Sequence, residues 1–315
     1  MISNKTDNMG GLVHIGDAVN RSLELAECGQ RTLGGIPSGF PSLDRLTRGW
    51  NPGELIIIGG RPCVGMTALA LGMARNAAVE FGIPTVYYSL DLSTVMLTDR
   101  LIVSEADIPI GKLHGEDRLR LEDWPRIESS IGKLSNAPLF LDDTPGLTVD
   151  QFERSIRDLS AQKGVKLAIV DSLQPMSPDK DSYLPDDRTR ERKEILHRLR
   201  NAATDLGIAL IVLSYLRRPL RWHYSGPILT DLDAYCPDAD ECADKIILMN
   251  RPSLFSQVES TEDRLDPIQL RIVQNRNGRD GMVELLFDKD RIRMVEPMDF
   301  YGIGLSRLEE RRLER

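Results

Sequence analysis

The chain is short of the features that mark several large protein classes. Aromatic residues make up only 5% of its 315 residues. No apolar run approaches the roughly 18 residues of a membrane-spanning helix. The opening stretch MISNKTDNMGG has neither the basic segment nor the apolar core of a secretory leader. No membrane association is expected, and the expected location is cytoplasmic. Cysteine is scarce: Cys28, Cys63, Cys236 and Cys242 match no zinc spacing, and a large cytosolic domain needs no disulfides, so free thiols are expected. The histidines His14, His114, His197 and His223 are scattered without ligand spacing, and no Ser/His/Asp nucleophile motif occurs. Both facts disfavour metal-dependent hydrolase and nuclease chemistry. Positive charge is not in excess either. A net charge of −8 argues against a general affinity for nucleic acid.

What is present is the composition of a soluble globular protein, 41% apolar and 28% charged, in a chain long enough to bury a large core. Arginines crowd locally in residues 188–200, 217–221 and 307–315, either as solvated faces or as local basic surfaces. Residues 1–12 read as a flexible tail. Residues 13–32 read as a helix with an apolar stripe of Ile15, Val19, Leu23 and Leu25, followed by a loop. Residues 32–50, rich in Gly, Pro and Ser, read as turns. From residue 54 an α/β rhythm begins. Strands are predicted at 55–59, 85–89, 139–142, 167–171, 209–214, 245–249, 269–274 and 282–287. Helices are predicted at 68–81, 97–106, 122–134, 148–163 and 190–206. Thr148 and Gln151 carry the spacing of a capping box. Aliphatic strands alternating with helices imply a mostly parallel sheet covered on both faces, with antiparallel strands added at one edge. Two long irregular stretches, 175–190 and 216–235, follow strand ends, where open α/β sheets place their ligands.

The first strand runs into Gly60-Arg61-Pro62-Cys63-Val64-Gly65-Met66-Thr67 and then a helix. Seven of these eight positions satisfy the phosphate-loop pattern G-x-x-x-x-G-K-[ST]. A plain Gly-rich turn would not be expected to match so far in the right strand–helix context. Backbone N–H groups at the helix N-terminus would cradle phosphates, and Thr67 would ligate Mg²⁺. The lysine position, however, holds Met66, and a thioether carries no charge and donates no hydrogen bond. Leu167-Ala168-Ile169-Val170-Asp171 reads as the companion strand whose terminal acid, Asp171, holds the metal. ATP and Mg²⁺ are thus the expected cofactors, with weakened binding.

Further strings make the resemblance specific. Gly35-Ile36-Pro37-Ser38-Gly39-Phe40 with Leu43-Asp44, Arg61-Pro62-Cys63-Val64-Gly65, Asp142-Asp143-Thr144-Pro145-Gly146, Asp171-Ser172-Leu173-Gln174 and Arg276-Asn277-Gly278 stand in family order. Together they resemble the RecA-like motor domain of DnaB-type replicative helicases over residues 33–298, leaving 299–315 as a charged tail. No counterpart of the family's amino-terminal scaffold domain is expected within these residues. The resemblance implies that residues 13–32 correspond to the linker helix that packs on a neighbouring subunit, although packing on its own domain is equally open. It implies a hexameric ring or co-assembly with a replicative helicase. Arg276 falls at the arginine finger that enters a neighbour's site in trans, or is a surface arginine on an edge strand. Arg188, Arg190, Arg217, Arg218 and Arg221 fall on the loops that contact single-stranded DNA, with Asp179, Asp181, Asp186 and Asp187 weakening that assignment.

The departures cluster at one place. Met66 replaces the lysine, Asp91 the catalytic glutamate, Tyr215 the strand-end glutamine, and Gln274 the lysine two residues before the finger. Aspartate is one methylene shorter, and a misplacement of about 1 Å can cost on the order of 10²-fold in rate. Losing one preorganised donor costs roughly 2.7–4 kcal/mol. Three functions remain open. The first is a helicase-like pseudoenzyme acting through assembly and DNA binding. The second is an active helicase or translocase in which Lys112, Lys133 or a neighbour's residue substitutes for the lysine. The third is a non-enzymatic regulatory module that binds a nucleotide or a protein.

Overall fold

The computed structural model describes residues 14–16, 34–115, 118–178, 188–216, 226–233, 235–254 and 264–297. The expected tails and most of the expected linker helix lie outside these residues, as do Cys28, Arg217, Arg218 and Arg221. The strands are β1 Leu55–Gly60, β2 Thr85–Ser89, β3 Leu139–Asp142, β4 Leu167–Asp171, β5 Ala209–Tyr215, β6 Lys245–Asn250, β7 Leu265–Asn275, β8 Gly281–Asp288 and β9 Arg293–Val295. They form one sheet in the order β3-β2-β4-β5-β1-β6-β7-β8-β9. Strands β3 through β6 in that order are parallel, and β7, β8 and β9 are added antiparallel. The expected α/β class with an antiparallel edge is the class found.

The helices are α1 Pro41–Thr47, α2 Met66–Arg75, α3 Thr94–Ala106, α4 Gly111–His114, α5 Trp124–Asn136, α6 Val149–Lys163, α7 Arg188–Leu206 and α8 Ala239–Cys242. They cover both faces of the sheet. Because successive side chains of a strand point to opposite faces, the central strands feed two cores. Ile56, Ile58, Tyr87 and Ile169 pack on one side with Leu69, Met73 and Leu97. Leu55, Ile57, Val86 and Val170 pack on the other with Phe152, Leu196 and Leu199. A strand buried on both faces has no polar alternation, which is why β1, β4 and β5 read as aliphatic runs.

Residues 32–50 are not all loop. Pro41 opens the seven-residue α1, and its preset φ suits a first helical turn. The Asp44 carboxylate accepts from the Ser38 N–H at 2.8 Å, and Leu43 is fully buried beneath. Short length and turn-like composition concealed the helix. The capping box at the start of α6 is formed in both halves. The Gln151 N–H donates to Thr148 Oγ1 at 3.3 Å, and the Thr148 N–H donates to Gln151 Oε1 at 2.9 Å. Thr148→Ala is expected to lower unfolding free energy by about 1 kcal/mol. Urea titration checks this, with the midpoint falling and the slope unchanged.

At the edge where β1 begins, Lys245 is wholly buried and ion-paired with Glu54. Glu54 also accepts from the Asn51 backbone N–H at 2.9 Å and from Asn277 Nδ2 at 2.7 Å. Next to it, Asp244 accepts from the Leu55 N–H at 2.9 Å and pairs with Arg200. This buried ionic seat ties the turn after β7 to the foot of the β1 strand.

Candidate nucleotide site

The loop between β1 and α2 turns through positive φ at Cys63 and Gly65 before the helix begins. The first bond of the helix runs from the Leu69 N–H to the Gly65 carbonyl at 3.0 Å. Ahead of it the Val64 N–H donates to the Arg61 carbonyl at 3.4 Å, and the N–H groups at the head of the helix lie at the positive end of the helix dipole, where an anion is favoured. Two glycines are dictated by geometry. Gly65 has φ of +102°, and a Cβ there would lie 2.9 Å from Met294 Cε. A Cβ at Gly60 would lie 2.6 Å from Met66 Sδ. That contact also locates Met66: its side chain folds back over the start of the loop and is only 7% exposed. Met66 belongs to the apolar core with Val64, Met249 and Met294.

Asp171, at the end of β4, lies beside α2. Its carboxylate accepts from the Tyr87 hydroxyl at 2.6 Å and from the Thr67 hydroxyl. Burial raises its pKa, only partly opposed by those hydrogen bonds and by the charge of Arg100. Burial, with the Asp171 charge second, pushes the Tyr87 phenol well above its ordinary value. An oxygen pair of hydroxyl and carboxylate suits a hard divalent cation such as Mg²⁺. The sign of the Asp171 effect gives a test. A carboxyl whose pKa is raised on folding loses stability as pH rises from the ordinary carboxylate range through the raised value. Asp171→Asn is therefore expected to raise the melting temperature of the unliganded protein at pH 7. The same variant should lose any Mg²⁺-dependent stabilisation by ATP, both readable in one calorimetric series.

Asp91 follows β2 and is exposed. The Tyr215 hydroxyl donates to Asp91 Oδ2 at 3.1 Å, and the Ser172 hydroxyl to the same oxygen at 3.3 Å. Asp91 lies close enough to Asp171 to act on its ionisation. The structure thus gathers Thr67, Asp91, Asp171 and Tyr215 at the ends of β1, β2, β4 and β5. Lys112 and Lys133, the substitutes expected within the chain, are both engaged elsewhere, and so is Arg75, two turns along α2. Lys112 is paired with Asp123 at 2.8 Å, Lys133 with Glu105 at 2.7 Å, and Arg75 with Glu80 at 2.6 Å and with Glu105. Sequence reasoning missed Arg100, whose charge acts on both Asp171 and Tyr87. Its signal was faint: a position between Leu97 and Leu101 on the buried face of α3.

Arg276 stands elsewhere. Asn275 is paired with Lys245 at the start of β6, so Arg276 sits where β1 begins, while the phosphate loop follows where β1 ends. A six-residue strand separates the two by roughly 20 Å. Arg276 donates to the Glu241 carbonyl at 2.5 Å and lies 3.7 Å from Asp244, with its side chain 45% exposed. Gln274 donates to the carbonyls of Asp240 and Ala243, at 3.0 and 2.7 Å. Arg188 and Arg190 are exposed in the first turn of α7, not in a loop as expected, because the helix begins two residues earlier than its apolar spacing indicated. Cys63, Cys236 and Cys242 are free thiols.

Comparison with known proteins agrees with this arrangement. The family model of the DnaB-like helicase C terminal domain matches residues 35–296. The "Replicative DNA helicase DnaB" of Leifsonia xyli subsp. xyli is 31% identical over 286 residues, which cover 90% of this chain and 61% of that protein. The "Replicative DNA helicase DnaC" of Bacillus subtilis is 32% identical over 262 residues, 83% of this chain and 56% of that protein. The solved structure of an ATPase domain superposes with a TM-score of 0.82 at 28% identity, covering 91% of this chain and 99% of that one. A solved DnaB-like replicative helicase gives 0.79 at 27% identity, covering 92% and 68%. The chain spans about three-fifths or less of the length of these curated relatives. With the family match running through all nine strands and both acids of the site, the chain belongs to the DnaB-like helicase C-terminal domain family.

Proposed function

We propose that this chain is a replicative-helicase-type ATPase domain that holds ATP and Mg²⁺ but hydrolyses ATP slowly, and that works mainly through assembly. The assembly is a ring of its own copies, or a mixed ring with a replicative helicase, around single-stranded DNA. The observation that carries this reading is Met66: a buried thioether at the one position of the phosphate loop where a cation would meet the terminal phosphates. Bound Mg²⁺ supplies charge neutralisation to the phosphates. The N–H groups at the head of α2 would hold the phosphates, Thr67 and Asp171 would hold the metal, and Asp91 would orient the attacking water. Arg276 is too distant to serve its own loop and is exposed enough to serve a neighbouring copy. Arg188 and Arg190, exposed in the first turn of α7, would face DNA phosphates.

The test pairs equilibrium ATP binding with single-turnover hydrolysis, in the presence of Mg²⁺ and single-stranded DNA, alongside mass photometry. Saturable binding, slow turnover and ring-sized particles are expected. Rapid DNA-stimulated turnover would return the chain to the active motors. One observation favours that second reading: the charge of Arg100 already acts on Asp171. In that case Arg100→Ala abolishes turnover, whereas Lys112→Ala and Lys133→Ala do not.

A further inference from the structure

We propose that Tyr215 is a positioning residue for Asp91, a clamp that holds the shortened acid at the nucleotide site from two strands away. The inference rests on the nucleotide site proposed above and goes beyond it in assigning Tyr215 a defined task. Strand order is what makes the contact unusual. Asp91 follows β2, Ser172 follows β4 and Tyr215 ends β5, and these strands are consecutive neighbours in the sheet. Two strand spacings, roughly 10 Å, separate the backbones of β2 and β5. A tyrosine carries its hydroxyl farther from the backbone than a glutamine carries its amide. An aspartate brings its carboxylate less far than a glutamate. The long hydroxyl and the short acid are complementary, and they meet at 3.1 Å.

The grip is one-sided. Tyr215 and Ser172 both donate to Asp91 Oδ2, at 3.1 and 3.3 Å, so Oδ1 is left for a water. The Ser172 contact comes from the residue that follows Asp171, so the clamp is anchored in the metal-binding strand end. Tyr215 itself is fixed by its place in β5, paired with Gly60 at the start of the phosphate loop. Burial, and after it the Asp91 charge, push the Tyr215 phenol up to about 12, as expected of a hydroxyl held against a carboxylate.

The test labels the full chain with 3-fluorotyrosine and assigns the Tyr215 resonance through Tyr215→Phe. Asp91 is exposed, so Asp91→Asn should leave the fold intact. In that variant the midpoint of the Tyr215 fluorine titration is expected to move to lower pH, with the other tyrosines unmoved. An unmoved Tyr215 midpoint overturns the clamp. A kinetic arm uses Met66→Lys as the parent. Adding Tyr215→Phe to it should lower kcat by about tenfold or more at unchanged KM for ATP. A rise in kcat would make Tyr215 a restraint, not a positioning group, and would also overturn the proposal. An inactive Met66→Lys protein counts against the slow-motor reading alone, and the fluorine titration then decides the clamp.

Discussion

Met66→Lys is expected to raise ATP turnover by about 10²–10³-fold. Met66 already follows a path back over Gly60, so a lysine of similar length can follow it without moving the loop. Nothing else needs to be built: Thr67 and Asp171 are in contact, and Asp91 is held beside them. The unliganded variant has a cost, since an ammonium would replace a thioether in a largely apolar setting of Val64, Met249 and Met294. Its melting temperature without nucleotide should therefore fall, and Mg²⁺-ATP should restore more stability to it than to the wild type. Single-turnover hydrolysis with both proteins decides the matter. Equal rates would show that the lysine was not what the site lacked.

Glu54→Ala should be the most damaging single change to stability, at about 3–5 kcal/mol. The reason is the partner it abandons. Lys245 is 0% exposed, so its ammonium would be left buried without its carboxylate. The Asn51 and Asn277 donors would lose their acceptor as well. For a domain of this size the melting temperature should drop by on the order of 10 °C. Combining Glu54→Gln with Lys245→Met removes both charges and should recover most of the loss, because breaking a buried pair costs more than deleting it. A loss below about 1 kcal/mol for Glu54→Ala would mean that Lys245 finds another partner.

The central strands β1, β4 and β5 were legible because their burial on both faces leaves an aliphatic signal, and β2 and β3 because they are short apolar or β-branched and aromatic runs between helices. The β2, β3 and β4 boundaries agree with expectation residue for residue. Strand β7 begins four residues before its expected start because Asp266 and Pro267 resemble a turn. Asp266 is in fact buried against Arg251 at 2.7 Å, and Pro267 pairs only with β8, where a missing N–H does no harm. The three-residue β9 has no periodicity to read. At the site, the phosphate loop was legible because its chemistry is contiguous in sequence. The contact between Asp91 and Tyr215 was not, since it depends on strand order across 124 residues. Nor could sequence reveal that Arg75, Lys112 and Lys133 are committed to carboxylates elsewhere.

The separation of Arg276 from the phosphate loop along β1 has a consequence for how such a chain evolves. On the function proposed here, each copy would carry two half-sites, the phosphate loop after β1 and Arg276 beside the start of that strand, the second held by a buried ionic seat. The seat is anchored by Glu54, Asp244 and Lys245, none of which lies in the phosphate loop. Natural selection can therefore act on the two ends separately. On that proposal, a lineage could lose its own chemistry at Met66 and still be retained for what Arg276 would lend to the copy beside it.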